Sequence, residues 1–66
     1  MNSLENIKES DPFILLSIIN MKLRDFYNSL DLLCDDLSID KKELIEKLKS
    51  VDYGYNKENN QFISLR

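Results

Sequence analysis

Histidine is absent from this sequence, and glycine, proline and cysteine each occur once. Without an imidazole there is no ordinary general base near neutral pH and no Ser–His or Cys–His pair. A single glycine cannot build a glycine-rich phosphate loop, and zinc or iron sites need histidine or several cysteines. The sequence therefore predicts that the protein is not an enzyme and holds no metal or cofactor, and it indicates no small-molecule substrate.

Long hydrophobic runs are also missing. The longest uninterrupted apolar stretch covers residues 13–16, whereas a membrane-spanning helix needs about 20 such residues. No basic segment followed by an apolar one marks a signal peptide. The lone cysteine, Cys34, cannot form an intrachain disulfide, on which small secreted domains usually depend. We therefore expect a cytoplasmic protein without a membrane association.

The residues that are present are typical of one small globular domain. The chain has 66 residues, of which 42% are hydrophobic and 32% are charged, with a formal net charge of −3. This length lies just below the roughly 70–80 residues under which a single core supplies little stability. Residues 1–10 lack a sustained period and are predicted to be a flexible N-terminal segment. Residues 11–66 are predicted to form a single helical domain with a C-terminal hairpin.

The first helix is predicted to begin at Asp11-Pro12 and to run to about Tyr27. An Asp side chain accepts hydrogen bonds from free N–H groups of the first turn, and Pro at the first helical position gives up an unpartnered donor. One broad face is apolar at helical spacing and is predicted to face the core. Its members are Leu15, Leu16, Ile19, Leu23, Phe26 and Tyr27.

Two shorter helices are predicted to follow. Ser29 is a suitable N-cap for a helix over residues 30–37, and Asp40 with Glu43 three residues later gives the capping-box pattern for a third helix. Apolar residues at helical spacing are expected to turn inward in both. They are Leu30, Leu33, Cys34, Leu37, Leu44, Ile45, Leu48 and Val51.

After Val51 the apolar period changes from helical to alternating. Residues 53–55 and 61–64 alternate around a turn-rich stretch, which predicts a β-hairpin. An isolated hairpin is marginal in water, so its aromatic residues are expected to pack on the helices. These are Tyr53, Tyr55 and Phe62. The predicted fold is mainly α, a small α+β domain of three helices with a helix-turn-helix-like pair and a C-terminal β-hairpin, in a winged-helix-like arrangement.

A second apolar stripe on the first helix is the candidate interface. Ile14, Ile18 and Met21 lie well round the helix from the first face, and Leu32 of the second helix is a possible fourth member. One interpretation is that the N-terminal segment or the hairpin covers the stripe. The other is a protein-partner surface, with a homodimer as the favoured form.

A row of Ser17, Asn20 and Arg24 interrupts the apolar surface of the first helix. Polar side chains within such a helix either reach water or are satisfied internally. The row is therefore either a structural hydrogen-bond network, in which Arg24 bonds a carboxylate or helix-terminal carbonyls, or a polar recognition groove.

Three acidic residues of the second helix, Asp31, Asp35 and Asp36, are a weak candidate for Mg²⁺ or Ca²⁺. A solvated acidic face explains them better, because no EF-hand pattern accompanies them. Cys34 lies on the apolar face and is predicted to be a buried core residue. The adjacent Asp35 and Asp36 are expected to raise its thiol pKa.

The second and third helices fit the core spacing of a helix-turn-helix, from Cys34 through Ile39 to Leu44 and Leu48. Nucleic-acid binders usually carry a basic stripe, because phosphate contacts supply most of their affinity. Residues 40–50 hold four Lys against three acidic residues, a net charge of +1, and the preceding helix carries three Asp. Weak winged-helix-like nucleic-acid binding in a regulatory domain therefore stands as the alternative to a protein–protein interaction module.

Three runs of sequence carry a family resemblance. They are DPFILLS with NMKLRD (residues 11–17 and 20–25), SLD with LCDDL (29–31 and 33–37), and YGY with NQF (53–55 and 60–62). Over about residues 10–62 the chain resembles a family of short, uncharacterised bacterial proteins known as a domain of unknown function. Leu32 departs from the pattern, where a charged residue is expected. The resemblance implies a bacterial cytoplasmic protein, and it implies neither an activity nor any functional residues.

Overall fold

The structure, a computed structural model, describes residues 9–66 and confirms three helices followed by an antiparallel β-hairpin. The elements are α1 (Pro12–Asp25), α2 (Leu30–Leu37), α3 (Lys41–Lys49), β1 (Tyr53–Asn56) and β2 (Gln61–Ser64). The fold is a small α+β domain, as predicted. Most of the predicted flexible segment, residues 1–8, lies outside the described residues.

Each helix begins at its predicted N-cap. The Asp11 carboxylate accepts a hydrogen bond at 2.8 Å from the backbone N–H two residues on. The Ser29 hydroxyl and the Asp40 carboxylate each accept one at 3.2 Å from the N–H three residues on. Such caps typically contribute about 1 kcal/mol each. Local hydrogen bonds from the capping side chains therefore favour helix starts at these positions.

The core lies where α1, the α2–α3 pair and the hairpin meet. Its buried members are Leu15, Ile19, Leu23, Leu30, Leu33, Cys34, Ile39, Leu44, Leu48 and Phe62. Tyr53 and Tyr55 are half-buried against them, and the Tyr55 and Phe62 rings lie 5.6 Å apart between centroids. The prediction that the hairpin aromatics pack on the helices is confirmed.

The end of α1 corrects one prediction. The helix stops at Asp25, and Phe26 has the non-helical φ of −126°. The side chain of Phe26 is 69% exposed, so its predicted position in the core is wrong. The 100° rotation per residue that placed it there holds only within the helix. Lys22 Nζ instead lies 5.9 Å from the centroid of the exposed ring.

Contacts continue beyond the paired strands at the open end of the hairpin. Tyr55 pairs with Phe62 in the middle of the ladder. Beyond the strands, the Leu65 N–H donates to the Asp52 carbonyl at 2.7 Å. The Leu65 side chain lies so close over Gly54 that a Cβ there would be 2.9 Å from Leu65 Cδ2. These contacts hold the strands in a single register.

Candidate interaction surface

The polar row predicted on α1 divides into one residue that anchors the hairpin and two that face solvent. The Asn20 amide donates to the Phe62 carbonyl at 3.0 Å, and its oxygen accepts from the Phe62 N–H at 2.7 Å. Asn20 therefore pairs with the outer edge of β2 as a neighbouring strand would. Ser17 is exposed, and Arg24 donates to Asp25 at 3.0 and 3.1 Å.

Asn60 and Tyr55 connect the hairpin to the ends of two helices. Asn60 Nδ2 donates to the carbonyls of Leu23 and Tyr27, at 3.0 and 2.8 Å, where α1 ends. Its oxygen accepts from the Tyr55 hydroxyl, which itself accepts from the Leu30 N–H at 3.3 Å. One chain of hydrogen bonds thus joins the C-terminus of α1 to the N-terminus of α2.

Gln61 completes this arrangement by donating from Nε2 to the Asn20 carbonyl at 2.9 Å. We call Asn20, Tyr55, Asn60 and Gln61 the polar cluster. These residues bond backbone groups of α1 and α2, and they also bond one another, since Tyr55 donates to Asn60 and Gln61 donates to the Asn60 carbonyl. No buried side-chain polar atom within residues 9–66 lacks a partner. The polar cluster therefore has a structural role. Sequence reasoning missed its pairings, although three of its members lie in the third run that carries the family resemblance.

Another side of α1, about 100° round the helix from Asn20, is mostly apolar and open. We call Ile14, Ser17, Ile18 and Met21 the outer face of α1. Ile14 is 60% exposed and Met21 37% exposed, while Ile18 packs partly against the core. Asn20, which holds the hairpin, lies about 100° round the helix from Met21. The hairpin therefore leaves Ile14 and Met21 uncovered.

A shallow groove of about 170 Å³ lies beside the outer face, at the start of α1. Its lining residues are Ser10, Asp11, Ile14, Leu15 and Ile18. The predicted covering of this region by the N-terminal segment concerns residues 1–8, which lie outside the described residues.

Leu32, the fourth predicted interface residue, lies on α2. It is 53% exposed and points away from the buried side of that helix. The structure thus places it on a different element from Ile14, Ile18 and Met21. The outer face is therefore defined by α1 residues alone.

Two of the three acidic residues of α2 have partners within the protein. Asp31 accepts from Lys41 Nζ at 2.6 Å, and Asp36 accepts from the Tyr27 hydroxyl. In the described part of the chain, no group of three or more His, Cys, Asp or Glu residues is placed to hold a metal ion. The exposed carboxylates give α2 a negative surface.

Cys34 is 5% exposed, and burial is the main cause that raises the pKa of its thiol. Smaller contributions in the same direction come from Asp31 and Asp40, and Lys41 opposes them. The predicted direction is therefore correct, but the adjacent Asp35 and Asp36 are not among the causes. A buried thiol with a raised pKa is a poor nucleophile.

These observations define the class: a small three-helix domain with a C-terminal hairpin and one exposed apolar helix face. Within residues 9–66 no helix is long and apolar enough to cross a membrane. The family described as Domain of unknown function (DUF4250) matches residues 9–62, and the chain belongs to that family. This confirms the resemblance found in the sequence. No curated protein and no solved structure matches the chain.

Proposed function

We propose that this domain is a non-enzymatic protein–protein interaction module that self-associates through the outer face of α1. The observation that carries the proposal is the exposure of Ile14 and Met21 on one side of a helix whose other side forms the core. Because both side chains are only partly exposed, burying them contributes a fraction of the about 1.5–3 kcal/mol gained by a fully exposed side chain. Clustered exposed apolar residues on a small domain commonly mark an interface.

The size of this surface sets the expected affinity. The chain exposes 4593 Å² in total, and a standard interface buries about 800 Å² per partner. Contact along one face of a 14-residue helix is smaller than that. We therefore expect a dissociation constant on the order of micromolar, typical of a reversible complex.

The proposal places the protein in the bacterial cytoplasm. Its single cysteine, Cys34, is a free thiol in the core. Free buried thiols are usual in reducing compartments, whereas small secreted domains depend on disulfides.

Nucleic-acid binding remains the alternative, and charge argues against it. Lys41, at the start of α3, is paired with Asp31 of the acidic α2. The chain as a whole carries −3. Titration with random duplex DNA at about 50 mM salt tests this alternative where electrostatic binding is strong. We expect no binding there; salt-sensitive binding would favour the alternative.

The interaction proposal is tested by light scattering over a range of about 0.5–500 µM, which brackets the expected affinity. The wild-type mass should rise toward that of a dimer, and Ile14→Asp should keep the chain monomeric. Ile14 is preferred to Ile18 because Ile18 packs partly against the core. An acidic residue near a helix N-terminus also favours the helix.

Phe26→Lys is the matched control. Phe26 is 69% exposed, comparable to Ile14, but lies beyond the end of α1 and outside the outer face. Its new charge has the sign that a helix C-terminus favours. This variant should associate like the wild type. A wild-type chain that stays monomeric throughout, or equal association of Ile14→Asp and wild type, contradicts the proposal.

A further inference from the structure

We infer that the free edge of β1 binds an extended, acidic peptide segment of a partner protein, which joins the hairpin as a third, antiparallel strand. The two edges of the hairpin differ. On the β2 edge, the Asn20 side-chain amide bonds both the N–H and the carbonyl of Phe62. On its other side β1 has no neighbouring strand in the sheet of residues 9–66. The hydrogen bonds of Tyr55 to the rest of the fold run through its hydroxyl.

The register shows which backbone groups point out of the free edge. Opposite residues in an antiparallel ladder alternate between pairs that exchange backbone hydrogen bonds and pairs that do not. Phe62 lies opposite Tyr55 and gives its N–H and carbonyl to Asn20, so these two residues are a pair of the second kind. The N–H and carbonyl of Tyr55 therefore point away from β2. Tyr53, opposite Ser64, has the same parity and the same orientation.

A strand edge of this kind selects an extended partner. Its outward N–H and carbonyl groups are a template for another strand, and proteins commonly block such edges with Lys, Pro or a bulge. The sequence of β1, YGYN, contains neither Lys nor Pro. Peptides that join an edge gain affinity from main-chain hydrogen bonds and specificity from alternate side chains. The occupant is therefore an extended segment rather than a helix.

The helix-facing side of the free edge favours acidic side chains. A groove of about 200 Å³ lies there, lined by Ser29, Leu30, Asp31, Lys41, Tyr55 and Lys57. Two Lys against one Asp give its lining a net charge of +1, whereas the chain as a whole carries −3. Lys41 is paired with Asp31, which leaves the exposed Lys57 for a peptide carboxylate. In an antiparallel strand, the residue opposite Tyr55 points to this side.

The solvent side of the hairpin favours apolar side chains. Ile63 is 37% exposed and Leu65 57% exposed on this side. Leu65 lies over Gly54, which has no side chain of its own to cover it. Successive residues of a strand point to opposite faces, so the neighbours of each acidic peptide residue reach this apolar surface. The segment that fits best therefore alternates acidic and apolar residues.

The probe is a hexapeptide of alternating glutamate and valine, blocked at both ends. It is added to the ¹⁵N-labelled chain at low salt up to about 5 mM, because we expect a dissociation constant on the order of 1 mM for so short a strand. The Tyr53 and Tyr55 amide signals should shift. Exchange of the Tyr55 N–H with solvent should slow by about sixfold at the highest concentration. The Phe62 N–H, already bonded to Asn20, is the internal reference.

Two modified probes test the strand geometry. N-methylation of the glutamates removes the N–H groups that face β1 in an antiparallel strand and should abolish binding. N-methylation of the valines alters only the edge that faces solvent and should leave binding unchanged. Equal binding of the two probes, or the reverse preference, overturns the inference.

Charge is tested with a lysine–valine hexapeptide and with Lys57→Gln. The acidic chain as a whole attracts the lysine probe, so a preference for the glutamate probe must come from the groove. Lys57→Gln should weaken binding of the glutamate probe by roughly two- to fivefold. Lys49→Gln, an exposed site at the end of α3 and outside the groove, should not. Equal weakening by both substitutions, or tighter binding of the lysine probe, overturns the inference.

This site is independent of the proposed self-association, so Ile14→Asp should bind the glutamate probe as the wild type does. A Tyr55 N–H that is already protected in the free chain would show that the edge is covered and would overturn the inference. So would unchanged Tyr53 and Tyr55 signals at about 5 mM of the glutamate probe.

Discussion

The two sides of α1 differ in how fully their exposed groups are partnered. On the hairpin side, both polar atoms of the Asn20 amide pair with Phe62, and Asn60 donates to two carbonyls at the end of the helix. On the outer side, Ile14 is 60% exposed. A chain of this size has little core to spare. The polar residue of α1 that faces the hairpin is fully hydrogen-bonded, whereas the apolar residues of the outer face are exposed. We therefore expect a protein partner to cover the outer face.

The two sides of α1 are also expected to affect different properties, namely the stability of the monomer and its self-association. Substitutions on the hairpin side should destabilise the monomer, because they leave half-buried backbone groups without partners. Substitutions on the outer side should leave the monomer intact and change only its self-association. The variants below test that separation, from the largest expected effect on stability to the smallest.

Asn60→Ala should have the largest effect. Asn60 makes three hydrogen bonds and has a left-handed φ of 52°. Loss of these bonds, together with an unfavourable backbone conformation for Ala, should cost about 3 kcal/mol in the free energy of unfolding. Urea denaturation measures it. Asn60→Gly removes the same bonds without the backbone cost and should recover about 1 kcal/mol. Equal losses would show that the backbone conformation contributes nothing.

Asn20→Ala should lower the free energy of unfolding by about 2 kcal/mol, because it leaves the N–H and carbonyl of Phe62 without partners at the edge of β2. Ser17→Ala, from the same predicted polar row, is the matched control. Ser17 is exposed, so its substitution should change stability by less than about 0.5 kcal/mol. Thermal denaturation of both variants measures the difference. Similar losses would contradict the division of the row into anchoring and exposed residues.

Ile14→Asp should change the stability of the monomer by less than about 0.5 kcal/mol, because the side chain is mostly exposed. The comparison is made by urea denaturation at low protein concentration, where the wild type is monomeric. At high concentration the wild type alone should gain stability, since association stabilises the folded chain. A large loss at low concentration would mean that Ile14 belongs to the core.

Tyr27→Phe tests a smaller, pH-dependent contact. The Tyr27 hydroxyl donates to Asp36, and this hydrogen bond is the main cause that raises the pKa of Tyr27. The protonated form is therefore favoured in the folded state. Its contribution is present below the unfolded pKa of about 10 and is lost as pH rises through the higher folded pKa. The urea midpoints of wild type and variant should converge over that range. A gap that stays constant would contradict the assignment.

Much of the fold follows from local sequence. The caps at Asp11, Ser29 and Asp40 favour the observed helix starts, and the change of period after Val51 marks the hairpin. Phe26 was misplaced because helical periodicity was extended past the residue where the helix stops.

The polar cluster was not predicted, because its contacts join residues far apart in the chain. Asn20 forms a hydrogen bond with Phe62, which is 42 residues away in the sequence, and Asn60 forms one with Leu23, which is 37 residues away. No local pattern encodes such pairs. The apolar stripe of α1 could be read from helical spacing, whereas its exposure depends on where the hairpin packs.

The central claim, that the outer face of α1 is an interface, is tested most directly by sedimentation equilibrium of the wild type beside Ile14→Asp. The wild type should fit a monomer–dimer equilibrium with a dissociation constant on the order of micromolar, and Ile14→Asp should fit a single monomer. Identical masses for the two chains at every concentration would contradict the claim.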